Sequence, residues 1–185
     1  FYPDTKNYYF QDSVRYTNDG LKMQTDTLQF DYSEHISYFF GHTFIEKDSI
    51  DIQANYGWFN TQTNEGYLHG NAMFTDPEKT LYADTIIYID RIQKIEAKHN
   101  VHFIEQKNNL RIQSNYLLKD EASNETFVSD CVLAQIVQES DTIYIHSDTL
   151  SILSDTIDSK QKLYAYYDVR IYNTQIQAKC DSLSY

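Results

Sequence analysis

Leu81-Tyr82-Ala83-Asp84-Thr85-Ile86-Ile87-Tyr88 is a stretch that the chain keeps rewriting. Its core is a small residue, then an acid or amide, then a run alternating between apolar and polar. The small residue recurs as Thr25, Ala54, Ala83, Ser114, Ser147 and Cys180, at steps of 29, 29, 31, 33 and 33 residues. Asp26, Asn55, Asp84, Asn115, Asp148 and Asp181 follow it. A second motif precedes these anchors by eleven residues or slightly more: Val14-Arg15-Tyr16, Thr43-Phe44-Ile45, Ala72-Met73-Phe74, Val101-His102-Phe103, Val132-Leu133-Ala134 and Val169-Arg170-Ile171. Self-similarity at so steady a period marks a repeat architecture. The units run about 7–35, 36–65, 66–94, 95–125, 126–160 and 161–185, after a lead-in of six residues, and form a single domain over 1–185.

Each unit contains two β-type runs separated by turn-forming clusters such as Asn18-Asp19-Gly20, Asp76-Pro77-Glu78 and Lys107-Asn108-Asn109. Twelve strands are therefore predicted, in an all-β, antiparallel arrangement. The composition agrees, with 17 Tyr, 10 Phe and only two Pro among 185 residues. Unit five offers three candidate anchors, at Ser140, Ser147 and Ser154, and apolar spacing selects Ser147.

Period-two alternation assigns the faces. Before each anchor, Leu21, Ile50, Leu110, Ile143 and Ile176 share one face with Met23, Ile52, Leu81, Ile112, Ile145 and Ala178. Lys79 breaks the first of these series. After the anchor the phase shifts by one, to Leu28, Ile86, Leu117, Leu150 and Leu183, with Gly57 as the exception. Phe30, Phe59, Tyr88, Ile152 and Tyr185 follow two positions later, with Lys119 as the exception. An odd step inside a period of two requires a bulge or bend. Asp or Asn at that point can bond the released backbone groups. The companion strand supplies Phe10, Phe39, Leu68, Ala97, Val128 and Ala165 to the same face. Stacked at one height, these corners crease the whole sheet lengthwise, with the apolar residues inside an elongated V. A dozen strands give a trough on the order of 55 Å long.

The two signatures Gly70-Asn71-Ala72-Met73-Phe74 and Leu81 to Asp90, with the 29–33-residue rhythm and the partial copy His99-Asn100-Val101-His102-Phe103, resemble the repeat of the OstA/LptA family. That resemblance implies a twisted, V-shaped β-jellyroll in the periplasm. It also implies non-enzymatic passage of lipopolysaccharide, or a related lipid, along an apolar groove, and docking to similar modules or to further copies by edge-strand addition. The groove would be lined by Met23, Leu28, Phe30, Phe39, Ile45, Ile50, Ile52, Phe59, Leu68, Phe74, Leu81, Ile86, Tyr88, Phe103, Leu110 and Ile112. Against this stands a packed interior with the same residues touching one another, as in a structural spacer. A polysaccharide-directed β-solenoid is the other alternative. This chain departs from the family pattern in its few glycines, with Gly preceding the Val-like position only at Gly41 and Gly70.

Other chemistries find little support. A net charge of −12 and a pI near 4.7 disfavour nucleic acid as a partner. No nucleophile motif, phosphate loop or cofactor signature is present, and the carboxylates recur with the repeat as structural residues do. The Asp/Asn ladder reads as corner-forming rather than calcium-binding. His99 and His102 are expected on opposite faces of a strand, without a completing ligand set. Cys131 and Cys180 read as half-buried small apolar residues, and the paired tyrosines Tyr8-Tyr9 and Tyr166-Tyr167 as cross-strand contacts. No run reaches the ~20 apolar residues of a membrane helix. The Phe1-Tyr2-Pro3 opening reads as that of an excised or processed piece.

Overall fold

The computed structural model describes residues 7–18, 20–154 and 161–185. The lead-in, Asp19, and the Asp155-Thr156 part of the third candidate anchor in unit five lie outside the described residues. The strands are β1 (Asn7–Asn18), β2 (Leu21–Asp31), β3 (Ile36–Lys47), β4 (Ile50–Asn60), β5 (Glu65–Thr75), β6 (Lys79–Ile89), β7 (Lys94–Glu105), β8 (Leu110–Asp120), β9 (Glu125–Val137), β10 (Thr142–Ser154), β11 (Gln161–Tyr172) and β12 (Gln177–Ser184). They form one twelve-stranded sheet in simple sequential order, every described pair antiparallel. The parallel rungs of a β-helix are therefore not the arrangement here.

Turn chemistry follows the sequence. The carboxylate of Asp31 accepts the N–H groups of Ser33 and Glu34 at 2.8 and 3.1 Å. Asn60, Asp76, Asp120 and Asn173 do the same for the two turn residues that follow each of them. Such Asx caps satisfy N–H groups that the ladders release. His35, Asn64, Asn109 and Asn124 close four of the turns in the left-handed region.

The crease stands where the anchors predict it. Ladder register shifts between Gln24 and Thr27, Gln53 and Tyr56, Tyr82 and Thr85, Gln113 and Tyr116, and Ser147 and Thr149. Ser147 is thereby the anchor of unit five. The odd-numbered strands bend at the same height through left-handed residues: Asp12-Ser13, Gly41, Gly70-Asn71, His99-Asn100, Asp130-Cys131 and Tyr167-Asp168. Gly41 and Gly70 also make room for the acid or amide of the preceding strand. A Cβ on Gly41 would meet the Asp26 carboxylate at 2.2 Å, and one on Gly70 would meet Asn55 at 3.2 Å. Asp26 accepts the His42 N–H at 3.3 Å, and Asp84 accepts from the Asn100 side chain at 2.8 Å. Among the described residues the other four members of the ladder make no such side-chain bond, so corner bonding is a property of two units rather than six.

Non-glycine residues in this region cost roughly 1–2 kcal/mol each. Tyr167 has φ 64° and its ring is largely exposed, so little packing is lost by removing it. Tyr167→Gly is expected to raise unfolding stability by about 0.5–1 kcal/mol, the relieved strain exceeding the added chain entropy. Urea denaturation of the two proteins checks this, and a lower midpoint for the variant would refute it.

Folding the sheet along this crease brings two arms face to face. The first arm holds the anchor-preceding halves of the even strands, and the second arm holds the halves that follow. Rings meet across the gap, Tyr16 with Phe30 and Phe74 with Tyr88, each pair at 5.8 Å between centroids. Leu28, Phe39, Ile86, Leu117, Val128 and Leu150 on the second arm are fully buried, as are Val101, Val132 and Ile145 on the first. One face of a lone sheet cannot reach that state; the opposite arm must cover it. Near the crease the arms converge, and the residues there are small. Thr25 and Thr43 share a 2.7 Å hydroxyl hydrogen bond, and Ala72 stands opposite Ala83.

The ends depart from the predicted pattern. Phe10 in β1 and Ile176, Ala178 and Tyr185 around β12 face solvent. An edge strand has a neighbour on one side only, so these inward positions are uncovered. Cys131, expected to be half-buried, is exposed at a left-handed corner, while Cys180 is intermediate; both are free thiols. His99 and His102, expected on opposite faces, are both exposed, because the bend at His99-Asn100 interrupts the alternation between them.

Candidate functional site: the interior between the arms and its mouth

The residues expected to line a groove do share one interior. Met23, Leu28, Phe39, Ile45, Ile52, Phe59, Leu68, Phe74, Leu81, Ile86, Phe103, Leu110 and Ile112 are all buried in a single cluster. Phe30, Ile50 and Tyr88 are half-buried at its margin. The side chains mostly fill the space, so the interior is a packed core along most of its length. Beside Phe59 and Tyr88 it opens. Between β3–β4 and β6 a crevice of about 170 Å³ runs in from the mouth, where the two arms end. Ile45, Ile50, Ile52 and Phe74 of the first arm face Phe59 and Tyr88 of the second across it, and Lys47, Asp48, Asn64 and Asp90 form its rim.

The rim is stitched by polar groups. Lys47 Nζ donates to Asn64 Oδ1 from one arm to the other, and Asn64 Nδ2 donates to Asp90 at 3.2 Å. Tyr88 Oη donates to Asp90 at 2.8 Å. Burial, this hydrogen bond and the nearby carboxylate charges of Asp90 and Glu121 push the phenol pKa well above its ordinary value, so Tyr88 stays a neutral donor.

Further along the mouth, the two lysines that break the apolar series come together. Lys79 on the first arm gives Glu121 on the second a 2.8 Å hydrogen-bonded ion pair. Lys119, on the second arm, has its ammonium 3.7 Å from the other oxygen of the same carboxylate. Burial opposes the charge on Lys79, but Glu121, Asp76 and Glu105 outweigh it, and the pKa lies above the ordinary lysine value. For Lys119 the balance is reversed: burial and the charge of Lys79 draw the pKa down, against Glu121, Glu105 and Asp76. Glu105 also reaches across the mouth, accepting from Gln161 Nε2. The sequence singled out Lys79 and Lys119 as exceptions at inward positions, but nothing in their spacing of forty residues showed that they share one carboxylate.

Among the described residues no group of three or more His, Cys, Asp or Glu is placed to hold a metal ion. Among the same residues no helix is long and apolar enough to cross a membrane. A scan against protein-family models finds none that matches the chain, and a search of the curated proteins finds no relative.

Proposed function

We propose that this chain is a non-enzymatic carrier module for a lipid with long acyl chains, of the lipopolysaccharide class, working in the periplasm of a double-membraned cell. One observation carries the reading: two arms of a creased sheet hold a continuous apolar interior that reaches solvent through a crevice at their mouth. Each methylene moved from water into such an interior gains about 0.8 kcal/mol, so even a short length of acyl chain has a large incentive to enter. The OstA/LptA-like repeat rhythm supports the same assignment. Among the described strands β1 and β12 are the two ends of the sheet, an arrangement that suits end-to-end addition of similar modules or of further copies of this chain.

A structural spacer is the second reading, favoured by how completely the side chains fill the interior elsewhere. A photo-crosslinking residue at Ile52 or Phe74 separates the two. Both sites lie at the crevice and both side chains are buried. Irradiation in the presence of lipopolysaccharide is expected to give a covalent lipid adduct from either position, visible as a mass shift. Crosslinks confined to the chain itself, at every lipid concentration, would decide for the spacer.

A further inference from the structure

We infer that Lys79 and Lys119 form a receptor for the phosphate headgroup of the amphiphile whose chains occupy the interior. The inference rests on the carrier reading above and deepens it. Both lysines project from positions that other units fill with apolar residues, Leu21, Ile50 and Leu110 in one series and Phe30, Phe59, Tyr88 and Ile152 in the other. Their side chains are only 17% and 8% exposed. A buried ammonium is costly unless paired and hydrogen-bonded, and Lys119 is neither fully. Among the described residues it has no hydrogen bond, and its nearest carboxylate oxygen is 3.7 Å away.

The surrounding carboxylates do not make up the shortfall. Glu105 Oε2 accepts from the Gln161 and Asn108 amides. Asp76 Oδ1 accepts from the Glu78 and Lys79 backbone N–H groups, and its Oδ2 stands 3.7 Å from Lys79 Nζ. Glu121 alone lies within 4 Å of both ammonium groups; Asp76 is that close to Lys79 only and Glu105 acts on both from farther off, which leaves Lys119 with a single close carboxylate oxygen. A phosphate oxygen seated beside Lys119 would supply the missing acceptor in charge-assisted hydrogen bonds. The position also suits the ligand's shape: the cluster lies at the mouth, so a headgroup held there directs its acyl chains inward among the apolar residues of both arms.

The test compares dodecyl phosphate with dodecyl maltoside, which share one chain and differ in charge, and adds inorganic phosphate alone. Calorimetric titration below the micelle concentration reads each affinity. The chain is expected to bind dodecyl phosphate at least about tenfold more tightly than dodecyl maltoside. Lys119→Leu, which gives the position an apolar side chain as in the other units, is expected to erase the preference while leaving maltoside affinity within about twofold, an internal check that the interior is intact. Glu121→Gln removes the competing carboxylate and is expected to tighten dodecyl phosphate binding. Equal affinity of the wild-type chain for the two detergents would overturn the headgroup site and leave the carrier reading standing. A preference that survives in Lys119→Leu and Lys79→Leu places the anion elsewhere and also overturns it. Inorganic phosphate binding as tightly as dodecyl phosphate would make this a free-phosphate site instead. Binding of neither detergent would overturn the carrier reading and the headgroup site together.

Discussion

Gly57→Val is expected to cost about 3 kcal/mol or more, a large share of the 5–15 kcal/mol that holds a typical domain folded. Gly57 occupies an inward position at which the other units carry Leu or Ile, so sequence alone invites the substitution. The structure forbids it. A Cβ there would lie 2.0 Å from the Tyr67 carbonyl oxygen and 2.7 Å from the Phe39 ring. Phe39 is directly opposite Gly57 in the β3–β4 ladder and fully buried, so its ring takes the volume that a side chain at 57 would use. The ring could shift, but the carbonyl belongs to the neighbouring strand and moves only with the backbone. Phe39→Leu should therefore fail to rescue Gly57→Val. Gly66→Ala serves as the contrast: the nearest atom to its new Cβ is a Phe59 ring carbon at 3.1 Å, and a cost of about 1 kcal/mol is expected. Urea denaturation of the three proteins tests the ordering. A Gly57→Val midpoint close to wild type would mean that β4 and β5 separate more easily than their pairing implies.

The same position shows what the sequence could and could not reveal. The repeat, the twelve strands, the antiparallel pairing and the crease were all legible, because each rests on local rules: period-two alternation, turn residues and one phase step per unit. Apolar spacing alone selects Ser147 among three anchors, and the ladder shifts register there. Gly57 was visible only as a gap in a series. Its reasons lie in the Tyr67 carbonyl of the neighbouring strand and in Phe39, eighteen residues away but directly opposite across the ladder. The bends of the odd strands were also hidden, since only Gly41 and Gly70 announce them. Elsewhere the left-handed conformation falls on His99, Asn100, Asp130, Cys131, Tyr167 and Asp168, and the neighbouring strand, which must bend at that height, imposes it.

The candidate site was legible as a face but not as a shape. Alternation places Ile52, Leu81 and Ile112 on one inward surface, and they are there. Whether two inward surfaces leave a gap depends on side-chain volumes summed across both arms, which no periodic pattern records. The interior closes where Phe39, Leu68 and Ile86 pack, and a crevice remains beside Phe59 and Tyr88. End effects were illegible for a similar reason: Phe10 and Ile176 obey the pattern, yet each lies at an end of the sheet, with too little opposite it.

Tethering the arms at the mouth is expected to reduce lipid capture by the photo-crosslinker at Ile52 at least about tenfold. The filled interior leads to this result. A crevice of about 170 Å³ admits only a few methylenes, so a longer chain requires the arms to part. Parting them near the crevice breaks the Lys47–Asn64 hydrogen bond, worth roughly 1.5–3 kcal/mol net because its donor is charged, and separates Phe74 from Tyr88. An entering chain replaces the lost ring contacts with its own, and at about 0.8 kcal/mol per methylene it offsets the hydrogen bond within about two to four carbons. Opening is then favourable with lipid and unfavourable without it, a shift that a covalent link across the rim removes. Lys47→Cys with Asn64→Cys, joined by a short cleavable bismaleimide after Cys131→Ser and Cys180→Ser, supplies that link. Capture should fall on tethering and return when the linker is cut. Undiminished capture in the tethered protein would show that acyl chains reach Ile52 without the arms separating, and the mouth would lose its role.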